Sequence, residues 1–269
     1  MNKVDRAIFR ESSDSTAQSS CGIAVMAKAS TPGRTKTRLV PPLNFEEAAA
    51  FNTAFLCDVT DNLLRAGTKA EITPYVAFGP PGSGRFFRDT LSERVGLIDA
   101  WLPNFGACLL LTIEEIFRRG HSSAVVLNSD SPTLPTQLLV DTANLLAQPG
   151  ERAVLGPSSD GGYYLLGLKS VHSHMFENIA WSTERVAEQT LARAREIDLD
   201  VHALPAWYDV DDAETLRRLH AELFGPRPVR SSLVPYRAPH TAALIAELGQ
   251  RTNFIERIGQ RVQLEELRA

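Results

Sequence analysis

Cysteine is scarce in this chain, which has three cysteines, Cys21, Cys57 and Cys108, among its 269 residues. An odd number of widely spaced thiols without a CxxC pair argues against a disulfide framework or a zinc site, and is typical of a reducing compartment. The six histidines are scattered, and the closest pair, His172 and His174, lacks a nearby cysteine or acidic partner at ligand spacing. We therefore expect no metal site built on histidine, and we interpret the three cysteines as packing residues.

Long apolar runs are absent as well. No stretch approaches the roughly 20 consecutive apolar residues of a transmembrane helix, and no apolar signal core follows the charged N-terminus. These absences predict a cytoplasmic protein with no membrane partner. The formal net charge of -4 leaves no excess of Lys and Arg. It therefore argues against nucleic acid as a partner, because binding to a phosphate backbone normally requires such an excess.

The order of apolar and polar segments predicts the domain organisation. Residues 1–20 are polar without an apolar period and are predicted to form a mobile leader. From Cys21 onward, short apolar runs alternate with longer amphipathic segments. Strands are predicted over 22–28, 72–79, 124–129, 153–156, 163–168 and 201–204, and helices over 46–66, 107–119, 136–147, 184–196 and 213–223. This alternation predicts a layered α/β domain over 21–224 with a mostly parallel central sheet.

The C-terminal part, 225–269, has a different composition. The segment GPRPVRSSLVPYRAPH contains four prolines and predicts an extended connector, followed by closing helices near 241–249 and 254–267. These helices are expected to dock on the core or on a partner. An isologous homodimer through them is compatible with the sequence.

The segment 24–39, AVMAKASTPGRTKTRL, has the features of a phosphate site. A strand-like run leads into a loop that carries Lys28, Gly33, Arg34, Lys36 and Arg38. Glycine lets the backbone approach a ligand closely, and the four cations supply charge for phosphoryl oxygens. We call residues 28–38 the basic loop. The alternative is a solvated basic loop without a ligand.

Three segments with aspartates follow predicted strands, where ligands bind in open parallel sheets. Asp130 stands in AVVLNSDSPTLP and Asp160 in GPSSDGGYYLLGL. Asp209 and Asp211 stand together in WYDVDDAETL. Each segment has a structural alternative: a helix cap for Asp130, a turn between strands for Asp160, and a helix cap for Asp211 or Asp212.

The aspartates and the basic loop together predict a metal and nucleotide site. Mg²⁺ or Mn²⁺ takes hard oxygen ligands, typically one or two carboxylates together with phosphate oxygens. We expect Asp130 and one of Asp209 or Asp211 to hold the ion, which neutralises charge on a leaving group.

The acceptor side of the site is predicted from two further segments. Asp160, with the backbone amides of Gly161 and Gly162, is expected to position the acceptor. Trp181 is a candidate wall of the acceptor site, with half-buried packing as the alternative. The adjacent pair at 182 and 183, Ser and Thr, is predicted to cap the following helix.

These motifs, in this order, resemble the DUF2064 proteins, often labelled rSAM/selenodomain-associated transferase 1. That family lies within the superfamily of GT-A glycosyltransferases and sugar-phosphate or molybdopterin nucleotidylyltransferases. The resemblance is carried by AKASTPGRTKTRL, NSDSPTLP, LGPSSDGGYYLLGL, MFENIAWST and YDVDDAETL, which span most of 22–220. It implies a GT-A-like, Rossmann-related three-layer sandwich with the nucleotide over its N-terminal half. It also implies that Asp130 stands where the superfamily has its metal-binding aspartate.

The chain departs from the family pattern in two places. It has AWLPNFGACLLLT where the family usually has a Gly-rich segment similar to QGEGDLGERM, so the acidic residues and the arginine of that segment are missing. The connector and C-terminal helices, 225–269, lie beyond the family pattern.

The leading hypothesis is a Mg²⁺- or Mn²⁺-dependent transferase that passes a glycosyl group from a nucleotide-activated donor to a small acceptor. The metal at Asp130 stabilises the departing nucleoside diphosphate, Lys36 and Arg38 add charge at the pyrophosphate, and Asp160 orients or deprotonates the acceptor. The alternative is a nucleotidylyltransferase, in which the same residues promote attack on the α-phosphorus of a nucleoside triphosphate with release of pyrophosphate. The dense basic loop favours this alternative. A third hypothesis, motivated by the departure at 101–112, is a binding or scaffold protein without catalysis.

Overall fold

The computed structural model describes residues 20–226 and 233–259. The predicted leader, part of the predicted connector and the end of the second closing helix lie outside the described residues. The first strand begins at Cys21, where the sequence predicts the start of the domain.

Seven strands form one sheet. They are β1 (Cys21–Lys28), β2 (Ile72–Gly79), β3 (Gly96–Asp99), β4 (Ser123–Leu127), β5 (Ala153–Pro157), β6 (Tyr163–Leu168) and β7 (Val201–Ala203). The order across the sheet is β3-β2-β1-β4-β6-β5-β7. β1 is parallel to β2 and β4, β3 is parallel to β2, and β7 is parallel to β5. Only β6 among these strands is antiparallel to its neighbours β4 and β5. The prediction of a mostly parallel sheet is confirmed.

Eight α-helices accompany the sheet in the described ranges. They are α1 (Phe45–Ala66), α2 (Gly84–Thr90), α3 (Phe105–Arg118), α4 (Thr136–Ala147), α5 (Val186–Glu196), α6 (Ala213–Phe224), α7 (Pro239–Arg251) and α8 (Phe254–Gly259). Successive strand residues face opposite sides, so Ile23 and Val25 of β1 contribute to the core under α1 and α4. Ala24, between them, contributes to the core under α3 and α5. The result is the predicted three-layer sandwich.

A third core lies at one side of the sandwich, beneath the C-terminal helices. It joins Leu39 and Leu43, which follow the basic loop, to Val210 of the predicted acidic segment. Phe254 and Ile258 of α8 complete it and are buried. The C-terminal helices therefore support the two chain segments that carry the predicted phosphate and metal residues.

Helix starts follow local capping chemistry where the sequence supplies it. Asn44 and Glu47 form a reciprocal capping box at the start of α1. Asp212 caps α6 by accepting a hydrogen bond from the amide of Thr215 at 2.8 Å. The capping role that the sequence left open between two aspartates therefore belongs to Asp212 and not to Asp211.

Most predicted elements coincide with observed ones, and one observed strand and one observed α-helix were not predicted. The strands at 72–79 and 163–168 and the helix at 136–147 have the expected bounds. The missed elements are β3 and α2.

The described helices include none that is long and apolar enough to cross a membrane. Cys21, Cys57 and Cys108 carry free thiols. Cys21 and Cys108 are buried, as expected of packing residues, and burial raises the pKa of Cys21 to about 12.

Candidate functional site

One open cleft of about 690 Å³ lies at the carboxyl ends of β1, β2 and β4, as expected for a parallel sheet. It brings together most of the residues that the sequence predicts for the site. These are Lys28, Arg34, Lys36, Arg38, Asp130, Asp160, Gly162, Trp181, Asp209 and Asp211. Gly33 and Gly161 shape the adjoining loops and do not belong to the cleft lining. The basic loop and all four predicted aspartates therefore share one cavity.

The basic loop is fixed at both ends. Gly33 has a φ of +74°, in the region that favours glycine, and allows the chain to turn there. At the start of the loop, the side-chain amide of Asn52 donates to the carbonyl oxygen of Lys28 at 3.2 Å. Beyond its end, Leu39 is fully buried. The cations between these anchors have a defined position relative to the sheet.

Lys36 lies at the centre of the cleft, and its side chain is only 6% exposed. Its Nζ lies 2.9 Å from Oδ1 of Asp130 and 2.8 Å from Oδ1 of Asp211, and donates to the carbonyl oxygen of Val210 at 2.8 Å. These partners account for the three donors of an ammonium group. Burial by itself lowers the pKa of Lys36, but the two carboxylates outweigh it and raise the pKa above its usual value. Lys36 is therefore charged at neutral pH, and its contact with a phosphate stays a prediction.

The other three cations of the basic loop are exposed. The Arg38 side chain is 72% exposed, and its Nη1 lies 3.5 Å from Oδ2 of Asp211. Nζ of Lys28 lies 5.7 Å from the centre of the Trp101 ring. Because exposed long side chains reorient at little cost, Lys28, Arg34 and Arg38 are the cations available to an incoming anion.

Asp130 follows β4 and connects two walls of the cleft. Its Oδ1 accepts a hydrogen bond from Oγ of Ser129 at 2.9 Å, and its carbonyl oxygen accepts one from the amide of Val210 at 2.8 Å. The N-cap of α4 is Pro135, which makes no side-chain capping bond. The alternative role of Asp130 as a cap of that helix is therefore wrong.

Asp209 is the carboxylate with excess negative charge around it. Burial, as the largest cause, and the carboxylates of Asp160, Asp211 and Asp130 together raise its pKa to about 6. Within residues 20–226 and 233–259, no cation forms an ion pair with Asp209. A bound cation at this place would relieve the repulsion.

Asp160 closes the turn between β5 and β6. Its Oδ1 accepts a hydrogen bond from the amide of Gly162 at 2.9 Å, so the structural role that the sequence left open is present. Gly161 has a φ of +91°, and a Cβ there would collide with the backbone of Glu184. The amide of Gly161 donates to the carbonyl oxygen of Ser158 at 3.3 Å. Both glycine amides thus have partners inside the turn, and their contact with an acceptor stays a prediction.

Trp181 packs against the start of α3 and also lines the cleft. Its ring meets Phe105 edge to face, with 5.4 Å between the ring centres. A Cβ on Gly106 would lie 2.7 Å from Nε1 of Trp181, so this glycine makes room for the ring. Trp181 is half-buried. The packing role is therefore present, and the role as an acceptor wall stays a prediction.

The predicted cap of the following helix is wrong. The N-cap of α5 is Arg185, without a side-chain capping bond, and the helix begins at Val186. Ser182 has a φ of +65°, and Thr183 donates from Oγ1 to the carbonyl oxygen of Ala180 at 2.7 Å. These residues form a turn that delays the helix.

A divalent metal fits this site only with help from a ligand. In the described part of the chain, no group of three or more His, Cys, Asp or Glu side chains is arranged to hold a metal ion. Mg²⁺ does not require such a cage, because it commonly binds one or two carboxylates together with waters and substrate phosphates. Asp130 is paired with Lys36 through Oδ1 alone, whereas both carboxylate oxygens of Asp211 are engaged, one by Lys36 and one by Arg38. Asp130 and Asp209 therefore suit this mode better than Asp211.

The cleft residues that were not singled out from the sequence include Asn128, Tyr163 and Trp101. Oδ1 of Asn128 and the hydroxyl of Tyr163 are buried without a hydrogen-bond partner within the described residues, which is uncommon in folded proteins. Burial also raises the pKa of Tyr163. Asn128 stands in the NSD motif and could have been noticed there. Nothing in the pattern marks Tyr163 or the exposed ring of Trp101.

Comparison with known families supports the resemblance seen in the sequence. Residues 62–183 match the DUF2064 family, described as "Uncharacterized protein conserved in bacteria". The matched stretch contains Asp130 and Asp160, whereas the basic loop precedes it. No curated protein sequence matches the chain.

Comparison with solved structures concerns the fold. A protein of Desulfovibrio desulfuricans G20, provisionally assigned as a nucleotide-diphospho-sugar transferase, is similar with a TM-score of 0.74 and 26% identity, over 88% of this chain and 97% of that one. A CMP:2-keto-3-deoxy-manno-octonic acid synthetase complexed with CTP has a TM-score of 0.49 and 12% identity, over 76% and 98%. A cytidylyltransferase from Leptospira borgpetersenii serovar Hardjo-bovis has the same TM-score and identity, over 90% and 98%. The first similarity confirms the predicted fold class.

Proposed function

From the match of residues 62–183 to DUF2064 and the fold shared with a provisionally assigned nucleotide-diphospho-sugar transferase, we propose that this chain is a nucleotide-dependent transferase. Its reaction is the transfer of a glycosyl group from a nucleoside-diphosphate sugar to a small acceptor, with Mg²⁺ or Mn²⁺. The observation that carries the proposal is the meeting of opposite charges in one cleft, where exposed cations of the basic loop stand opposite Asp130, Asp160 and Asp209.

The cations fit the donor's phosphates. Lys28, Arg34 and Arg38 are exposed at the cleft and supply charge for a diphosphate. Lys36 has all three donors engaged by the protein, so its main task is to fix the acidic segments. Three exposed cations remain for the phosphates, and the preference for glycosyl over nucleotidylyl transfer is supported by the fold shared with a provisionally assigned nucleotide-diphospho-sugar transferase.

The carboxylates fit a metal ion bound together with the donor. Asp130 and Asp209 would hold the ion, which supplies positive charge for the leaving nucleoside diphosphate. The raised pKa of Asp209 supports this assignment, since a neighbouring cation offsets the repulsion that burial and the other carboxylates create.

Asp160 is suited to act on the acceptor. In the proposed step, the acceptor's hydroxyl oxygen bonds to the anomeric carbon of the donor, and the bond from that carbon to the phosphate oxygen breaks. The nucleoside diphosphate leaves with the electron pair, and Asp160 accepts the hydroxyl proton. The hydrogen bond that Oδ1 of Asp160 accepts from the amide of Gly162 holds the carboxylate in place.

The test is a thermal-shift panel of UDP-, GDP- and CDP-sugars and of the four nucleoside triphosphates, each with and without Mg²⁺ or Mn²⁺. A ligand that binds only the folded state raises the melting temperature. Metal-dependent stabilisation by one diphosphate sugar supports the proposal. A preference for a triphosphate would instead favour the nucleotidylyltransferase, and no response to any nucleotide would favour a non-catalytic protein of the same fold.

A further inference from the structure

We propose that Trp101 is the surface on which the base of the nucleotide donor stacks. The inference rests on the proposed function and adds a residue that governs recognition of the base. Trp101 belongs to the segment in which this chain departs from the family pattern, and it lines the same cleft as the basic loop.

The Trp101 ring is held in a fixed place. Gly79 ends β2 directly beneath it, and a Cβ at Gly79 would collide with the ring. The next residue is tied to α3, because the amide of Leu102 donates to Sγ of Cys108 at 3.2 Å and that thiol donates to the carbonyl oxygen of Leu102 at 3.4 Å. A stacking surface needs this kind of pre-organisation, since ordering a free ring on binding would cost affinity.

The ring is nevertheless exposed. Trp101 is 42% exposed, and Leu102 and Phe105 in the same segment are exposed as well. Single exposed apolar residues are ordinary, but Trp101 and Phe105 both line the cleft, and exposed apolar side chains gathered at a cleft are of the kind that marks a ligand site. Aromatic rings at such sites offer a flat face for another ring.

The neighbourhood of the ring matches the two ends of a nucleotide. Nζ of Lys28 lies 5.7 Å from the centre of the Trp101 ring, and Arg34 lines the same cleft. A nucleotide carries a flat ring and a chain of phosphates in one small molecule, so its base can lie on Trp101 while its phosphates contact the cations. The cleft volume of about 690 Å³ lies within the range of small-molecule sites.

The experiment measures the contribution of the base to binding separately from that of the phosphates. Calorimetry measures the binding of UDP, CDP, GDP and ADP, of the corresponding triphosphates and of inorganic tripolyphosphate, each with Mg²⁺, to the wild type and to Trp101→Ala and Trp101→Phe. Phe45→Ala is the matched control, because Phe45 is similarly exposed and does not line the cleft. Loss of one base–aromatic stack should weaken nucleotide binding roughly 5- to 100-fold in Trp101→Ala. Tripolyphosphate binding should stay within about twofold, and Trp101→Phe should retain most of the affinity.

Each outcome decides between the proposals. A selective loss of nucleotide binding in Trp101→Ala, with tripolyphosphate and Phe45→Ala unaffected, supports the stacking role. If the wild type binds nucleotides and Trp101→Ala binds them equally well, the stacking role is overturned while the proposed function stands. An equal loss for nucleotides and tripolyphosphate would also overturn it, because the effect would then be on the phosphates. If the wild type binds neither nucleotides nor tripolyphosphate, both proposals are overturned.

Discussion

Lys36 and Asp211 are 175 positions apart in the chain, and Nζ of the lysine lies 2.8 Å from Oδ1 of the aspartate. The same ammonium group lies 2.9 Å from Oδ1 of Asp130. One buried cation therefore joins the loop after β1, the loop after β4 and the segment before α6. The geometry of the candidate site depends on this contact, because each of the three segments bears charged residues of the cleft.

Removal of the ammonium group in Lys36→Met should destabilise the protein. Two partly exposed carboxylates would lose their shared cation, so we expect the free energy of unfolding to fall by about 1–3 kcal/mol, less than for a fully buried pair. Urea denaturation at pH 7 measures the change. Lys28→Met is the control, because Lys28 is exposed and its loss should cost no more than about 0.5 kcal/mol. Equal stability of the two variants would contradict the role assigned to Lys36.

Asp209→Asn should stabilise the protein at neutral pH. The pKa of Asp209 is raised from 3.8 to about 6 in the folded state, so the folded state binds this proton more tightly than the unfolded chain. Ionisation of Asp209 therefore costs stability as the pH rises from about 4 to 6, and the cost is complete above that range. We expect the melting temperature of Asp209→Asn to exceed that of the wild type by roughly 2–4 °C at pH 7.5, a shift that corresponds to about 1 kcal/mol.

The pH dependence of the gain in melting temperature tests whether the charge of Asp209 causes it. Near pH 4 the wild-type side chain is protonated and resembles the amide, so the difference in melting temperature should vanish. A gain of the same size at both pH values would show that charge on Asp209 is not its cause. The same variant should bind Mn²⁺ more weakly in the presence of a nucleoside diphosphate.

Asp160→Asn should separate the structural role of this residue from its chemical role. An asparagine oxygen can still accept the hydrogen bond from the amide of Gly162, so stability should change by less than about 0.5 kcal/mol. It cannot take up a proton, and glycosyl transfer should therefore slow by roughly 10²- to 10⁴-fold. Gly161→Ala provides the contrast, since its φ of +91° and the nearby backbone of Glu184 predict a loss of stability of more than about 1 kcal/mol. Unchanged turnover in Asp160→Asn would remove it as the base.

The C-terminal helices should contribute to stability and to the site. Asp58 of α1 accepts hydrogen bonds from the amides of His240 and Thr241 at 2.9 and 2.8 Å, and from Oγ1 of Thr241 at 2.6 Å. Asp58→Ala should lower the free energy of unfolding by about 2–4 kcal/mol, because the start of α7 loses its buried acceptor. Asp61→Ala, which loses only a surface contact with His240, should cost less than about 1 kcal/mol.

Binding of a nucleoside diphosphate to Asp58→Ala and Asp61→Ala tests whether the C-terminal helices also support the site. α8 packs with Leu39 beside the basic loop, so Asp58→Ala should also weaken binding of a nucleoside diphosphate, while Asp61→Ala should not. Loss of stability without any loss of binding would show that the C-terminal helices act apart from the site.

The alternation of apolar runs and amphipathic segments was enough to predict the layered domain, because strands such as β4 and β6 are mostly apolar. β3 was missed since Gly96–Asp99 contains only two apolar residues between glycine and aspartate. It is a strand because it pairs with β2, a tertiary contact that local composition does not encode. The helix α2 was missed because it has seven residues and no side-chain cap.

Some features of the candidate site could likewise be predicted from the sequence, and others could not. Residue type and position after a strand were sufficient to select Asp130, Asp160 and the basic loop as neighbours of one cleft. They could not indicate that Lys36 is occupied by two aspartates, because that depends on how distant segments meet. The exposure of Trp101 could not be predicted from the sequence either, since tryptophan is a highly buried residue on average.

The most direct test of the account is calorimetry of UDP, GDP and CDP binding with and without Mg²⁺, in the wild type, Asp130→Asn and the control Asp141→Asn, whose side chain lies outside the cleft lining. We expect Mg²⁺ to tighten binding of at least one diphosphate by about tenfold or more in the wild type and in Asp141→Asn, and to have little effect in Asp130→Asn. Binding that is independent of Mg²⁺ in the wild type, or equally dependent on it in Asp130→Asn, would contradict a metal-assisted transferase site at this cleft.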